Sequence, residues 1–136
     1  MRMKAETARD ITAPIILPPR RILLLVDDDP NVLRSLSRLL GPEFDLLLTA
    51  QTVEDAERLL EDNPVTHLVC DGDLGPSSPA GLELVPRWRR QHASIVYAVI
   101  FSGSDLSRIP APHGVDSLLP KSSDPAELTR LLAETS

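Results

Sequence analysis

Polar side chains follow four short apolar runs of this chain. They are Asp27, Asp28 and Asp29 after residues 22–26, Asp71 after residues 68–70, Ser102 after residues 98–101, and Lys121 after residues 118–120. Apolar runs this short, bounded by turn residues, are typical of buried parallel strands. In an open α/β sheet, groups at the carboxyl ends of such strands converge on one crevice. Carboxylates, a hydroxyl and an ammonium in one crevice predict a site for a divalent cation and a phosphoryl group.

Each residue type has a part in that chemistry. A hard cation such as Mg²⁺ takes one or two carboxylates, which Asp28 and Asp71 could supply, with Asp27 orienting a bound water or sharing the load. An aspartate beside the metal can act as a nucleophile toward phosphorus. Lys121 and Ser102 would supply the positive charge and the hydroxyl donor that the incoming phosphoryl oxygens require.

The elements that position these groups alternate between strand and helix. Strands are predicted at residues 22–26, 44–49, 66–70, 95–101 and 117–119, and helices at residues 30–40, 53–61 and 80–91, with a last helix opening at Asp124. Asp29, Thr52 and Asp124 are predicted N-caps, and Gly41 is the predicted stop of the first helix. Pro86 should kink the third helix or cut it in two. The order predicts an α/β fold, a parallel sheet with helices on both faces.

Two stretches break this alternation. Residues 1–20 carry several prolines and no sustained periodicity, so we expect a flexible tail or linker there, ahead of a single domain over residues 21–136. Between Phe101 and Ser117 a fourth helix should lie, but Pro110 and Pro112 leave no space for a regular one. One or two turns at residues 105–109 are the most that fits.

Composition excludes several classes of protein. The net charge of −6 argues against direct binding of nucleic acid. A single cysteine, Cys70, excludes a disulfide framework and a multi-cysteine metal site, and we interpret it as a core thiol. The apolar runs are shorter than the roughly 20 residues that a membrane span needs. The first residues lack the apolar segment of a signal peptide, so we expect a cytoplasmic protein.

The segments "ILLLVDDDPNVLRSL", "HLVCDGDLG", "GLELV", "VIFSGSD" and "LLPKSSDPAEL" resemble the receiver domain of two-component response regulators, from about Arg21 to the end of the chain. The resemblance implies a three-layer, flavodoxin-like sandwich with five parallel strands in the order 2-1-3-4-5. It also implies Mg²⁺, or alternatively Mn²⁺, as the cofactor. The roles it implies are an acidic metal-binding pair at Asp27 and Asp28, a phosphoacceptor and metal ligand at Asp71, a metal-binding backbone carbonyl at Asp73, a switch hydroxyl at Ser102 and a phosphate-binding ammonium at Lys121.

Asp71 and Asp73 compete for the role of phosphoacceptor. The family pattern of Leu three residues after the acceptor, followed by Pro or Gly, fits Asp71 through Leu74 and Gly75. Counting back from Gly81 at the usual spacing favours Asp73. We favour Asp71, because the apolar strand ends directly at it, and the loop after it then carries a two-residue insertion.

Three departures from the family concern how phosphorylation is transmitted. Leu118 stands where an aromatic switch residue is common, Ser122 replaces the usual proline after the lysine, and the fourth helix is shortened. The usual output face, built from the fourth and fifth helices and the fifth strand, is therefore in doubt. We expect phosphorylation to act mainly through residues 102–114.

The resemblance implies a signalling switch whose only chemistry is self-phosphorylation and autodephosphorylation. Its partners would be a histidine kinase or phosphotransfer protein and an unidentified downstream effector, with a homodimer left open and no membrane. Alternatives are a receiver-like interaction module that takes no phosphate, and a haloacid-dehalogenase-type phosphatase, suggested by Asp71-Gly72-Asp73. Residues 87–90 are basic and aromatic, and we interpret them as a solvated helix end with Trp88 half packed; a partner surface is the alternative.

Overall fold

The computed structural model describes residues 20–74, 80–103 and 110–134. Its strands are β1 (Ile22–Val26), β2 (Leu46–Ala50), β3 (His67–Cys70), β4 (Tyr97–Ser102) and β5 (Ser117–Pro120); its helices are α1 (Pro30–Leu40), α2 (Val53–Asp62), α3 (Gly81–Gln91) and α4 (Pro125–Ala133), and a 3₁₀ turn, Gly41–Glu43, follows α1. All of these strands and helices were expected from the sequence, with ends that differ by one or two residues. The predicted tail lies outside the described residues except for Arg20. In the part of the chain that is described, no helix is both long and apolar enough to cross a bilayer.

The five strands form one parallel sheet in the order β2-β1-β3-β4-β5. This confirms the predicted order 2-1-3-4-5. In register, Val26 pairs with Cys70, Cys70 with Ile100, and Ser102 with Pro120. The carboxyl ends of the strands therefore lie along one edge of the sheet, and the residues that follow them meet there.

Apolar side chains of the sheet divide between two cores. In β1, Ile22, Leu24 and Val26 pack in one core and Leu23 and Leu25 in the other, because successive side chains of a strand point to opposite faces. The first core contains residues of α2 and α3, and the second contains residues of α1 and α4. Helices on both faces explain why the strands are apolar without alternation. The result is the predicted three-layer sandwich.

Side-chain caps begin three of the helices. The side chains of Asp29, Thr52 and Asp124 each accept a backbone N–H from the first turn of α1, α2 and α4. The prediction that α1 stops at Gly41 is confirmed, since the helix runs over Pro30–Leu40 and Gly41 is its C-cap. Gly41 has helical φ (−50°) and leads into the 3₁₀ turn, and the backbone becomes extended only at Phe44 (φ −128°).

The helix that contains Pro86 is continuous. The sequence predicted that Pro86 would kink this helix or cut it in two, and the cut does not occur, since α3 runs unbroken over Gly81–Gln91. Proline removes one intrahelical hydrogen bond, and contacts to other elements hold the second half of the helix. Trp88 is fully buried, and its indole N–H donates to Glu57 Oε2 at 3.1 Å. Trp88 is therefore not half packed, and the helix end is only partly solvated.

The connection from β4 to β5 packs directly on α3. Residues 105–109, for which the sequence predicts one or two helical turns, lie outside the described residues, and residues 110–116 contain no helix. Gly114 has φ +97°, and a β-carbon there would lie 3.2 Å from Pro86 Cα. Arg89 donates to Gly114 O at 3.1 Å and to Asp116 Oδ2 at 2.6 Å. The end of this connection is thereby fixed to the second half of α3.

Candidate functional site

Two buried carboxylates lie side by side at the carboxyl edge of the sheet. Asp27 and Asp71 each follow directly on a strand, and only 3% and 6% of the surface of these residues is exposed. Backbone hydrogen bonds continue past the strand ends: Asp27 N–H donates to Ala50 O at 3.1 Å, and Asp71 N–H donates to Val26 O at 2.8 Å. The ladder therefore fixes both backbones and places the two carboxylates on one edge.

Lys121 joins these two carboxylates. Its Nζ lies 2.6 Å from Asp27 Oδ2 and 3.4 Å from Asp71 Oδ2. Its backbone N–H donates to Ser102 O at 2.7 Å, so the ends of β4 and β5 are tied together at the site. Ser102 is itself buried, with 2% of its surface exposed. The structure thus brings the predicted hydroxyl and ammonium to the same edge as the carboxylates.

Asp28 completes an aspartate cluster with Asp27 and Asp71. One carboxylate oxygen from each of the three lies within 4.8 Å of the others, and Asp28 is the exposed member. Asp29 lies outside this cluster as a helix cap: its side chain accepts from Asn31 N–H at 2.9 Å. Its own backbone N–H donates to Asp27 Oδ1 at 2.9 Å, which orients the Asp27 carboxylate.

The structure places Asp71, and not the carboxylate of Asp73, in the cluster. Asp73 has an exposed side chain, while its backbone N–H donates to Asp71 Oδ1 at 3.1 Å. The chain therefore turns immediately after Asp71 and keeps the backbone of Asp73 beside the site. That the Asp73 carbonyl is a metal ligand stays a prediction from the family resemblance.

Two glycines shape the site, although the sequence by itself indicates no structural role for either of them. Gly81 opens α3, and its N–H donates to Gly72 O at 3.1 Å. A β-carbon at Gly81 would lie 2.4 Å from the Asp71 carbonyl oxygen. A β-carbon at Gly72 would lie 2.9 Å from Ser102 Oγ. The contact of Gly72 with Ser102 could have been suspected from a glycine directly after a strand-end aspartate. The contact of Gly81 with Asp71 depends on how α3 packs against the end of β3, which the sequence does not indicate.

The charges of the cluster change the protonation of its members. Burial raises the pKa of Asp71, and the neighbouring charge of Asp27 adds to the effect, outweighing the Asp73 N–H and Lys121, which lower it. Desolvation lowers the pKa of Lys121, but the hydrogen bonds and charges of Asp27 and Asp71 outweigh it, so this pKa is raised. Lys121 is therefore a fully charged ammonium at neutral pH.

Cys70 does not contribute to this chemistry. It is fully buried in β3, immediately before Asp71. Burial, with the charges of Asp71 and Asp27, raises the pKa of the Cys70 thiol far above its ordinary value. The thiolate is the reactive form of cysteine, so Cys70 is an inert core thiol as predicted.

The cluster has more negative than positive charge. It holds three carboxylates, and the Lys121 ammonium bridges two of them. The metal-ligating atoms that these three side chains offer are all oxygens. Clustered carboxylates repel one another unless a cation joins them, and oxygen ligands suit a hard divalent cation. The donor set therefore fits Mg²⁺, with Asp27, Asp28 and Asp71 as the residues that would hold it.

Known proteins of similar structure support this interpretation. Neither a protein-family model nor a curated protein matches the chain. The signal receiver domain of an HD-domain-containing protein from Pseudomonas fluorescens Pf-5 has a TM-score of 0.74 and 26% identity, covering 90% of this chain and 93% of that one. A LuxR-family two-component response regulator from Aurantimonas sp. SI85-9A1 has a TM-score of 0.69 and 27% identity, covering 85% and 87%. Response regulator TrrA from Thermotoga maritima, in complex with Mg²⁺-BeF, has a TM-score of 0.71 and 22% identity, covering 84% and 97%.

This chain therefore has the fold of response-regulator receiver domains, and its aspartate cluster lies at the carboxyl edge of that fold. The predicted resemblance is thereby confirmed.

Proposed function

We propose that this chain is a phosphoacceptor receiver domain that takes a phosphoryl group onto Asp71 in the presence of Mg²⁺. The observation that carries this proposal is the buried Asp71 carboxylate, 3.4 Å from the Lys121 ammonium and within one cluster with Asp27 and Asp28. Asp73 is the less favourable acceptor because its carboxylate is exposed and lies outside that cluster. The protein would act as a signalling switch.

The transfer itself requires one bond to form and one to break. A carboxylate oxygen of Asp71 attacks phosphorus while the bond from phosphorus to the leaving atom of the donor breaks, and the donor keeps that electron pair. The hydrogen bond from Asp73 N–H holds the carboxylate in orientation during this attack. Burial and the charge of Asp27 oppose ionisation of Asp71. The negative charge on its carboxylate is therefore destabilised, and bonding to an electrophile relieves this.

Lys121 and Ser102 would stabilise the charge that arrives with the phosphoryl group. Lys121 already bridges Asp27 and Asp71, so its ammonium is in place to pair with a phosphoryl oxygen. Ser102 has a hydroxyl that can donate to a second oxygen. Mg²⁺, when bound by Asp27, Asp28, Asp71 and the Asp73 carbonyl, supplies Lewis-acid stabilisation of phosphoryl oxygen charge. The Mg²⁺-BeF complex of TrrA supports this choice of metal.

The proposed output begins at Ser102. If the Ser102 hydroxyl turns toward a new phosphoryl oxygen, it pulls on the connection that follows β4. The far end of that connection is hydrogen-bonded to α3 through Arg89. Phosphorylation would therefore shift the segment over residues 102–114 and change its contacts with an effector. The phosphodonor would be a histidine kinase or a phosphotransfer protein.

Phosphoryl incorporation tests the proposal. Wild type, Asp71→Asn and Asp73→Asn are incubated with acetyl phosphate and Mg²⁺, and intact mass is recorded over time. We expect wild type and Asp73→Asn to gain the mass of one phosphoryl group, and Asp71→Asn to gain none. Loss of uptake only in Asp73→Asn would assign the acceptor to Asp73 instead.

The two alternative functions give different results in the same experiment. A folded wild type that gains no mass would favour the interaction module. The phosphatase alternative is disfavoured because the Asp-x-Asp strand comes first in that family, whereas Asp71 here follows the third strand. Steady multiple-turnover release of phosphate from phosphate esters would reverse that judgement.

A further inference from the structure

Gly72, the residue after Asp71, lies close to the side chain of Ser102. A β-carbon built on Gly72 would lie 2.9 Å from Ser102 Oγ, 3.1 Å from Ser102 Cβ and 3.3 Å from Ile100 Cγ2. The hydroxyl of Ser102 therefore lies against the space that a side chain at position 72 would fill. Ser102 is 2% exposed, so it has no open solvent into which it could move without cost.

Backbone conformation does not explain the glycine at this position. Glycine is needed where φ is positive, and among the described glycines only Gly114 has such a φ. The backbone at Gly72 is one that alanine can also adopt. The obstacle to alanine is steric, since its β-carbon would lie too close to both side-chain atoms of Ser102.

We infer that Gly72 is a positioning residue for the Ser102 hydroxyl, so that the side chain at position 72 sets how well Ser102 can donate to a phosphoryl group on Asp71. The inference rests on the proposed phosphoacceptor function. The backbone of Ser102 is bonded to Lys121 N–H at 2.7 Å and paired with β5, so it resists movement. A methyl group at position 72 would therefore displace the Ser102 side chain and turn its hydroxyl from its present position.

The substitution Gly72→Ala tests this in the whole chain, with Gly103→Ala as the matched control. Gly103 is on the other side of Ser102, and among the described residues nothing lies within 4 Å of a β-carbon built on it. We expect Gly72→Ala to slow phosphoryl uptake from acetyl phosphate about tenfold. This is less than the roughly 100-fold or greater loss that follows removal of a positioned donor, because the hydroxyl is displaced and not removed. Gly103→Ala should react at the wild-type rate, and Mg²⁺ affinity should be unchanged in both.

A double-mutant comparison separates displacement of the hydroxyl from general damage. In a Ser102→Ala background there is no hydroxyl to displace, so Gly72→Ala should cause no further slowing. An equal slowing in both backgrounds would overturn the inference, as would a wild-type rate for Gly72→Ala alone. If Gly72→Ala does not fold, adding Ser102→Gly removes the two contacts to Ser102 and should restore folding. Failure to restore it would also overturn the inference.

Failure of the phosphoacceptor proposal is recognised separately. If wild type and Gly103→Ala take up no phosphoryl group, the proposed function is wrong, and thermal unfolding then tests the steric claim by itself. Gly72→Ala should lower Tm more in the Ser102 background than in the Ser102→Gly background. Equal lowering in the two backgrounds would show that Gly72 does not act on Ser102.

Discussion

The two edges of the sheet use charged side chains in different ways. At the amino edge, Arg21 donates through Nη2 to Leu132 O at 3.0 Å and lies 4.7 Å from the centre of the Phe44 ring. Arg89 donates to Gly114 O, to Asp116 Oδ2 and, at 3.0 Å, to Val96 O. At the carboxyl edge, by contrast, three carboxylates cluster together and one ammonium bridges two of them.

This difference separates structural charges from chemical ones. Each arginine at the amino edge lies against carbonyls or a carboxylate that compensate its charge, so these contacts join elements of the fold. The carboxyl edge keeps an excess of negative charge in a mostly buried place, which costs stability unless a cation binds. An uncompensated cluster of this kind indicates function.

Among the substitutions at the two edges, we expect Gly81→Ala, at the carboxyl edge, to lower the free energy of unfolding most. Its β-carbon would lie 2.4 Å from the Asp71 carbonyl oxygen, a backbone atom that cannot turn aside. We expect a loss of about 3 kcal/mol in the free energy of unfolding, the upper end for added bulk in a packed site. Chemical denaturation measures it. Gly41→Ala is the control, because a β-carbon there meets no described atom within 4 Å; an equal loss in both variants would contradict the packing argument.

Arg89→Met, at the amino edge, should lower the stability of the protein without affecting phosphoryl uptake. Arg89 makes hydrogen bonds to three different residues, and charge-assisted bonds of this kind contribute more than neutral ones. Because the side chain is partly exposed, we expect a loss of about 2 kcal/mol by chemical denaturation. The neighbouring exposed Arg90→Met should change stability by less than about 0.5 kcal/mol. Phosphoryl uptake should persist in both variants; its loss in Arg89→Met would mean that the two edges are not separate.

Asp28→Asn should weaken Mg²⁺ binding, because it removes one carboxylate of the cluster. We expect at least a tenfold loss of affinity by calorimetric titration, equivalent to about 1.4 kcal/mol. Asp29→Asn is the matched control, since asparagine caps a helix as well as aspartate does and Asp29 lies outside the cluster. Equal weakening by both substitutions would show that the metal does not select the cluster.

Asp71→Asn should slightly stabilise the metal-free protein at neutral pH. The pKa of Asp71 is raised by burial, so the folded state holds this proton more tightly than the unfolded state does. The resulting penalty is absent below the unfolded pKa of about 3.9, grows as pH rises and is complete above the folded pKa. We expect a gain below about 1 kcal/mol at pH 7, since the carboxylate is partly compensated by Lys121.

Thermal unfolding from pH 4 to pH 8 without metal checks the sign of this effect. The difference between Asp71→Asn and wild type should shrink toward pH 4. Asp73→Asn, whose carboxylate is exposed, is the control and should follow wild type. A variant that is less stable than wild type at pH 7 would contradict the view that the metal-free cluster is strained by its own charge.

Much of the fold follows from local signals in the sequence. Short apolar runs predict the strands because both faces of the sheet are covered, and Asp29, Thr52 and Asp124 predict helix starts because their side chains replace missing backbone partners. Strand ends are less well predicted, since pairing decides them. Ile95 is buried but precedes β4, which begins at Tyr97 where the ladder with β3 begins.

Contacts between distant residues could not be predicted in the same way. The bond from Trp88 to Glu57 joins residues 31 apart, and that from Arg89 to Asp116 joins residues 27 apart. Both depend on how α3 lies on the sheet, so the sequence alone suggests only a basic helix end. Pro86 likewise looks like a break until the packing around it is known.

For the site, the sequence predicts the members of the cluster but not their geometry. Strand-end positions indicate that Asp27, Asp71 and Lys121 meet, because parallel strands share one carboxyl edge. Which carboxylate Lys121 approaches more closely, and the limits that Gly72 and Gly81 impose, depend on loop conformations that no pattern encodes.

The location of the transferred phosphoryl group tests the role of Asp71 most directly. After reaction with acetyl phosphate and Mg²⁺, borohydride reduction converts an aspartyl phosphate to homoserine, and fragment ions of the peptide locate it. We predict homoserine at position 71 and an unmodified aspartate at position 73. Homoserine at position 73, or none in a folded protein that binds Mg²⁺, would contradict the assignment.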